Sequence, residues 1–202
     1  MDDAVLTVKG LRTGKAAGED EVPAKLLKAG IEPLADSISN LINLCWSSKT
    51  VPKDLKNAKI ITTYKNKGDR GDCNSYRGIS LLSATGKVLA RILLKRLQQL
   101  AEQVLVYPES QCGFRAQHST IDMFFAVRQL QENREQRQPL YLSFVDFTKA
   151  FDLVNRTSLF TVLRKSGFPP TLLALIKAFH DDMMAGVQFD DNLSDHFHIQ
   201  RV

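Results

Sequence analysis

The sequence has few cysteines and lacks any long apolar run. No uninterrupted apolar stretch approaches the roughly 18 residues that a membrane span needs. The N-terminus, MDDAV, has neither the basic region nor the apolar region of a secretory signal. Cys45, Cys73 and Cys112 are widely spaced, with no CxxC pair and no histidine pairing at zinc spacing. We therefore expect an intracellular protein with reduced thiols that is neither secreted nor embedded in a membrane.

The chain also lacks repeats and low-complexity linkers, and 44% of its 202 residues are hydrophobic, which is enough for a folded core. Its net charge of +5 is unevenly distributed. Residues 51–96 carry eleven Lys or Arg and three Asp, a balance of +8, whereas residues 181–202 carry five Asp and one Arg, a balance of −4. This asymmetry suits a protein that holds a phosphate backbone and binds metal ions, although an ordinary solvated surface explains the same counts.

The periodicity of the first half predicts mostly helices with one clear strand. We expect a weak strand or lead-in over residues 1–13 and a loop over 14–20. A helix is predicted at 24–29, ending at Gly30, and a second begins near Pro33. Residues 58–64 read as a strand, 65–76 as a polar loop and 79–82 as a short apolar piece. Thr85 is the predicted cap of a long helix.

The second half predicts a mixed α+β arrangement. Ser119 and Asp122 form a capping-box pattern for a helix to about residue 137. An apolar strand, residues 140–145, leads into Asp146, and a helix follows to about residue 165 with Asp152 in its first turns, where a negative charge is favourable. A further helix is predicted from Pro170 to about residue 184. Residues 187–189 and 196–199 alternate like two strands of a hairpin.

Three familiar patterns fail on inspection. GLRTGKA at residues 10–16 has three residues between its glycines instead of the four of a P-loop, and alanine where Ser or Thr should hold magnesium. His196 and His198 are better explained by alternation in a hairpin than by metal binding. The FHDD at residues 179–182 imitates the aromatic-x-Asp-Asp sequence of polymerases, but the preceding helical spacing predicts that Asp181 and Asp182 are charges on a helix surface.

Five segments of the sequence match motifs of one protein family. They are GKAAGEDEVP at residues 14–23, YKNKGD at 64–69, NSYRGISLL at 74–82 with GKVLAR at 86–91, QCGFRAQHST at 111–120, and FVDFTKAFD at 144–152. Together they resemble, in order, the motifs of reverse transcriptases of LINE-type (non-LTR) retrotransposons. The resemblance covers roughly residues 10–200. It implies an α+β right-hand polymerase fold, with a fingers-like segment over residues 1–137 and a partial palm carrying the first catalytic motif over 138–202.

The resemblance implies a role for each matching residue. Asp146, with the carbonyl of Phe147, would bind Mg²⁺ (or Mn²⁺) in two-metal nucleotidyl transfer. Phe151 would be the aromatic gate that selects dNTP over rNTP. Lys65 and Arg77, together with Lys67, would contact the triphosphate. The RNA template would contact two groups of residues, Lys87, Arg91, Lys95 and Arg96 in the first, and Gly113, Phe114 and Arg115 in the second.

The sequence departs from the family pattern at three places. Glu19 and Glu21 stand where the family usually has Pro and Gly, and His118 stands where it usually has Arg. The family's Gln-Gly motif and aromatic-x-Asp-Asp hairpin would follow Val202. We therefore expect one of three catalytic carboxylates in these residues and no polymerisation by this chain alone.

These motifs lead to three hypotheses about function. The first is an RNA-directed DNA polymerase domain fragment that uses an RNA template, a DNA primer and dNTP. The second is a retrotransposon remnant that binds nucleic acid without chemistry. The third is a non-functional truncated product prone to aggregation. Either the nucleus or the cytoplasm suits such elements.

Overall fold

The computed structural model describes residues 2–104, 106–135, 141–147, 149–151, 153–190 and 192–199. Its N-terminal part consists of helices α1 (Asp2–Lys9), α2 (Ala24–Ala29), α3 (Ile31–Ser48) and α4 (Lys53–Lys56). The predicted α2 and its end at Gly30 are confirmed, as is the second predicted helix. The strand expected at residues 1–13 is wrong. Ala4, Val8 and Leu11 are buried at helical spacing, so α1 places one apolar stripe on the core.

A five-stranded sheet forms the second layer. Strand β1 (Ala58–Tyr64), which was predicted with these bounds, pairs antiparallel with β2 (Tyr76–Leu82) across a loop that ends in a 3₁₀ turn at Cys73–Ser75. The other edge of β1 pairs in parallel with β3 (Met184–Phe189), in the register Ala58↔Ala185. The two short strands β4 (Asn192–Leu193) and β5 (Phe197–His198) both pair antiparallel with β3, which confirms the predicted C-terminal hairpin.

Helix α5 (Ala84–Gln103) runs through the centre of the core. Its buried face carries Val88, Leu89, Ile92 and Leu93. The predicted cap, Thr85, is wrong by two positions, because the Ser83 hydroxyl accepts the backbone N–H of Gly86 at 3.1 Å. Ser83 follows directly after β2, so the strand passes into the helix without a loop.

Helix α6 (Thr120–Glu135) begins with the predicted capping box. The Asp122 carboxylate accepts the backbone N–H of Ser119 at 2.8 Å, and the Ser119 hydroxyl accepts that of Ile121 at 3.1 Å. Residues 136–137, the expected end of this helix, lie outside the described residues.

The last two helices are shorter than predicted. Helix α7 (Arg156–Lys165) begins only at Arg156, capped by Asn155, and the predicted position of Asp152 in the first turns lies outside the described residues. Helix α8 (Pro170–His180) ends four residues before the predicted residue 184. The ammonium of the buried Lys56 caps its end by donating to the carbonyl oxygens of Ala178 and Asp181. Asp181 and Asp182 therefore lie in the turn before β3, which corrects their expected place on a helix.

The strand predicted to lead into Asp146 is also wrong. Residues 141–147 form no strand in the structure and are exposed; Leu140 lies outside the described residues. A strand is stable only when a neighbouring strand satisfies its backbone hydrogen bonds. Among the described residues, β1 and β3 already have partners on both edges, and none of the strands pairs with residues 141–147.

The core spans the predicted boundary between residues 137 and 138. Buried side chains of α1, α3 and α5 pack with Phe168, Leu172, Leu173 and Leu175, and β1 pairs with β3. The functional division into fingers and palm stays a prediction. Among the helices that the structure describes, none is long and apolar enough to span a membrane.

Candidate nucleotide and nucleic-acid site

Asp146 lies on an exposed segment of irregular backbone. Its neighbours Phe144 and Phe147 are 85% and 76% exposed. After the segment, a tight turn forms, in which the Leu153 N–H donates to the Lys149 carbonyl at 3.1 Å. The Asp146 side chain is itself exposed. An exposed carboxylate next to a backbone carbonyl offers hard oxygen ligands, which fit Mg²⁺ with several of its waters retained.

An aromatic contact joins two of the sequence motifs. The rings of Phe151 and Phe114 meet edge to face with their centroids 5.6 Å apart. Phe114 has a left-handed backbone (φ 59°), and its carbonyl accepts the Gln98 side-chain amide at 3.3 Å. The predicted gate residue and the predicted template segment, separate in the sequence, are therefore brought together. Phe151 remains 65% exposed, so its ring is accessible to a ligand.

The β1–β2 hairpin carries the predicted triphosphate contacts. Arg77 is exposed on β2, opposite Thr63 of β1. The Lys65 ammonium donates to the Asn74 carbonyl at 2.8 Å across the base of the loop. Lys67 is exposed at the loop tip, next to Gly68, whose φ of +88° suits glycine. These side chains project from one hairpin, although no described contact connects them to Asp146.

Aromatic rings accompany these cations on the hairpin. Tyr64 and Tyr76 pair at the hairpin end, with ring centroids 5.5 Å apart, and Phe189 of β3 lies 5.7 Å from Tyr76. The Arg70 guanidinium lies 5.2 Å from the Tyr64 ring. Sequence reasoning missed this cluster. The symmetric pairing of Tyr64 and Tyr76 across the loop could have indicated the first contact, but the contact with Phe189 depends on the distant β3.

The predicted template cations of α5 all have partners within the chain. Lys87 donates to the Ala16 carbonyl at 3.1 Å, Arg91 to the Gly10 carbonyl at 2.9 Å, and Lys95 pairs with Asp3 at 2.9 Å. Burial lowers the pKa of Lys87, although the nearby Asp20 acts in the opposite direction. Three cations at four-residue spacing thus hold the N-terminal segment on α5.

Arg96, the fourth predicted template cation of α5, stacks on a ring of the same chain. Its guanidinium lies 4.2 Å from the centre of the Trp46 ring of α3. The roles of all four α5 cations in binding RNA stay predictions.

Arg115 is likewise engaged within the chain. Its guanidinium makes a bidentate pair with Glu102, at 2.9 and 3.0 Å, and donates to the Pro108 carbonyl at 3.2 Å. The hydrogen bonds from Arg115 hold the pKa of Glu102 below its usual value, and the same pair raises the pKa of Arg115. Gly113 accepts the Gln111 side-chain amide at 2.9 Å. Arg115 therefore fixes the loop that presents Phe114.

The structure is that of a mixed α+β protein. It has an exposed carboxylate, an accessible aromatic pair and a hairpin that carries both cations and aromatic rings, which are features of nucleotide- and nucleic-acid-binding proteins. A family model described as reverse transcriptase (RNA-dependent DNA polymerase) matches residues 64–202. The chain belongs to the reverse transcriptase family, which confirms the resemblance drawn from its motifs.

The chain's relatives are polymerases of non-LTR retrotransposons. It is 29% identical over 177 residues to the RNA-directed DNA polymerase from mobile element jockey of Drosophila melanogaster, covering 87% of this chain and 19% of the relative. The jockey polymerase of Drosophila funebris is 30% identical over 191 residues, covering 94% of this chain and 21% of that protein. A Pol polyprotein from element R1 of Bradysia coprophila is 31% identical over 153 residues, 75% of this chain and 15% of the polyprotein. The chain spans about a fifth of the length of the first two.

Proposed function

We propose that this chain supplies nucleotide-binding residues and one metal-binding carboxylate to RNA-directed DNA synthesis. The family match over residues 64–202, which includes Asp146 and Phe151, is the observation that carries this proposal. The substrates would be an RNA template, a DNA primer and dNTP, inside the cell in the nucleus or cytoplasm. Asp146 and the Phe147 carbonyl would hold Mg²⁺ or Mn²⁺, which supplies Lewis-acid stabilisation of charge on the transferred phosphoryl group.

The accessible rings support a role in substrate selection. Phe151 is largely exposed, yet its ring is held at one edge by Phe114. A ring fixed in this way would exclude the 2′-hydroxyl of an incoming rNTP and admit a dNTP. Phe114 would act as the positioning residue for Phe151.

The chain alone would not polymerise. Two-metal transfer needs several carboxylates around a pair of ions. Among the described residues, the cluster of potential metal ligands is formed by Cys112, His118 and Asp122, and Asp146 is not part of it. One exposed carboxylate fits a single hydrated ion better than a pair.

Primer extension on an RNA template tests this proposal. The 202-residue chain is incubated with Mg²⁺ or Mn²⁺ and dNTP, with Asp146→Asn as the isosteric control. We expect no extension by either protein. Extension that requires Asp146 would disprove the inactivity of the isolated chain and support its polymerase chemistry.

The family role itself is tested by binding. We expect the wild-type chain to bind dNTP with Mg²⁺ more tightly than Asp146→Asn does, and to prefer dNTP over rNTP only while Phe151 is intact. Phe151→Ala would remove this preference, whereas Phe144→Ala, which alters a more exposed ring seven residues earlier, would retain it. Equal affinity of all four proteins for both nucleotides would contradict the proposed roles.

A second candidate function is RNA binding without chemistry, and the hairpin favours it. Lys67, Arg70 and Arg77 are exposed there beside the half-buried rings of Tyr64 and Tyr76, a combination that suits phosphate contacts and base stacking. Affinity for single-stranded RNA should then fall steeply with salt and survive Asp146→Asn.

Charge-matched variants distinguish specific from general electrostatic binding. Arg77→Ala should weaken RNA binding and reduce the salt dependence, whereas Lys165→Ala, an exposed cation on α7, should leave both nearly unchanged. Equal losses in the two variants would assign the binding to net charge alone.

A further inference from the structure

Three side chains of metal-binding type converge where the predicted template loop joins α6. The Cys112 thiol, a His118 ring nitrogen and an Asp122 carboxylate oxygen all lie within 4.8 Å of one another. Cys112 and His118 are half-buried, and Asp122 is exposed. The spacing, five residues and then three, is not a familiar zinc pattern, which is why the sequence did not reveal it.

We propose that Cys112, His118 and Asp122 form a binding site for Zn²⁺. Sulfur, nitrogen and oxygen in one set suit a borderline-soft divalent ion, whereas Mg²⁺ and Ca²⁺ prefer oxygen alone. Three protein ligands leave the fourth tetrahedral position for water. Asp146 is not one of these three ligands.

The distances fit this ion. His118 Nδ1 and Asp122 Oδ2 are 3.6 Å apart, which is too long for a hydrogen bond. Ligands bound tetrahedrally to Zn²⁺ at about 2.0–2.2 Å are separated from each other by about 3.4 Å. The Cys112 sulfur, whose bond to zinc is longer, lies within 4.8 Å of both other ligand atoms.

The cap at the start of α6 positions the carboxylate. Asp122 Oδ2 already accepts the Ser119 N–H at 2.8 Å, which fixes the side chain next to His118. A carboxylate has about four lone-pair positions, so it can keep this bond and still bind an ion. The capping box thus serves as the supporting contact that metal ligands usually require.

The surrounding charges also accommodate a thiolate and a cation. Arg115, three residues after Cys112, is neutralised by its bidentate pair with Glu102, so its positive charge is already compensated within the chain. A thiolate and the Asp122 carboxylate balance the two charges of Zn²⁺. The bound ion would hold residues 112–122 together and so fix Phe114 against Phe151.

Cobalt substitution tests the site directly. The chelator-treated chain, kept reduced without thiols, is titrated with Co²⁺ and then with Zn²⁺. We expect one equivalent of Co²⁺ to produce a thiolate-to-cobalt charge-transfer band, which Zn²⁺ displaces. Because the measurement can be made on Asp146→Asn as well, its outcome does not depend on the proposed polymerase role.

Matched variants identify the ligands. Cys112→Ser should abolish the charge-transfer band and lower zinc affinity by at least about 100-fold, more than loss of a supporting contact does. Cys73→Ser, which removes an exposed cysteine in the β1–β2 loop, should change neither. His118→Gln should weaken zinc binding and retain the sulfur band in saturating Co²⁺.

Two results would overturn the site. One is the absence of a sulfur-to-cobalt band from the wild-type chain. The other is loss of the band in Cys73→Ser with retention in Cys112→Ser. If Cys112→Ser does not fold, as judged by circular dichroism, unchanged zinc affinity in His118→Gln would equally overturn the proposal.

Discussion

At Gly18, the N-terminal loop passes so close to the end of β2 that a side chain has no space. A Cβ there would lie 2.4 Å from the Leu82 carbonyl oxygen and 2.6 Å from the Ser83 nitrogen, both backbone atoms. At Gly14, in the same loop, a Cβ would meet nothing within 4 Å. Within the same motif, packing therefore requires glycine at position 18 but not at position 14.

We predict that Gly18→Ala lowers the free energy of unfolding by about 1–3 kcal/mol, because the backbone must shift to accept the methyl group. Gly14→Ala should remain within about 0.5 kcal/mol of wild type. Urea unfolding followed by circular dichroism measures both changes. Equal effects at the two positions would contradict the close approach of the loop to the start of α5.

The Arg115–Glu102 pair predicts a dependence of stability on pH. The pKa of Glu102 is held below its usual 4.5 in the folded chain, chiefly by the hydrogen bonds from Arg115. The unfolded state then binds more protons in this range, so the pair stabilises the fold above pH 4.5, and this contribution is lost as the pH falls through the lower folded pKa.

Glu102→Gln, which keeps the side-chain shape, should therefore be less stable than wild type at pH 7, with a difference that disappears in acid. Thermal melts between pH 7 and pH 3 measure this convergence. Glu109→Gln, a change of an exposed carboxylate in the loop that follows α5, is the control and should follow wild type. A constant difference across the range would assign the loss to packing.

The individual elements show what local sequence patterns can and cannot determine. Helices α2, α3 and α6 and strand β1 were predictable, because caps and helical or alternating spacing act over a few residues. The parallel pairing of β1 with β3 joins residues more than 120 positions apart, and no local pattern contains that information. The same limit explains why the strand predicted before Asp146 is wrong, since a strand forms only with a partner strand from another part of the chain.

The candidate site residues came from the family resemblance. Its motifs indicated Asp146, Phe151 and Arg77 without any structure, and the roles of these residues stay predictions. The internal partners of the α5 cations were not predictable, since a basic helix face has the same sequence pattern whether it contacts RNA or its own chain. The contact of Phe114 with Phe151 likewise required the fold.

Helix α5 provides a prediction at the scale of an element. Arg91 donates to the Gly10 carbonyl just after the end of α1, where a cation also interacts favourably with the helix dipole. We expect Arg91→Ala to cost about 0.5–1 kcal/mol and to increase hydrogen exchange in α1 more than in β1.

Arg128→Ala is the matched control, because Arg128 is an exposed arginine of α6 whose guanidinium lies 3.9 Å from the Glu132 carboxylate. It should leave exchange in α1 unchanged. If Arg91→Ala also left α1 protected, the apolar stripe and the Lys95–Asp3 pair would be sufficient to hold the helix.

The whole molecule combines a packed half with an unusually apolar exposed surface. Large exposed side chains between residues 114 and 162 include Phe114, Ile121, Phe124, Phe125, Tyr141, Phe144, Val145, Phe147 and Phe151. Exposed apolar surface of this extent favours association. By contrast, Leu172, Leu175, Phe179 and Ala185 of the C-terminal part are buried in contact with the N-terminal part or its sheet. The exposed segment thus joins two parts that share one core.

This arrangement predicts the outcome of limited proteolysis. Chymotrypsin should cut first after Tyr141, Phe144 or Phe147, because these residues are exposed on backbone without regular structure. The two products should nevertheless elute together in native gel filtration and separate only in denaturant. Each fully buried Leu or Phe of α8 contributes about 1.5–3 kcal/mol, and the β1–β3 pairing adds to this.

Separate elution of the products under native conditions would contradict the shared core and favour two independent domains divided near residue 137. Tyr141→Ser, Phe144→Ser and Phe147→Ser combined in one variant provide the control, because removal of the cleavage sites should slow nicking without changing the elution of the intact chain. Co-elution of the nicked products would mean that the shared sheet and core, and not the exposed segment, hold the two parts together. Asp146 would then lie on a connection that can rearrange around a ligand without unfolding the rest of the chain.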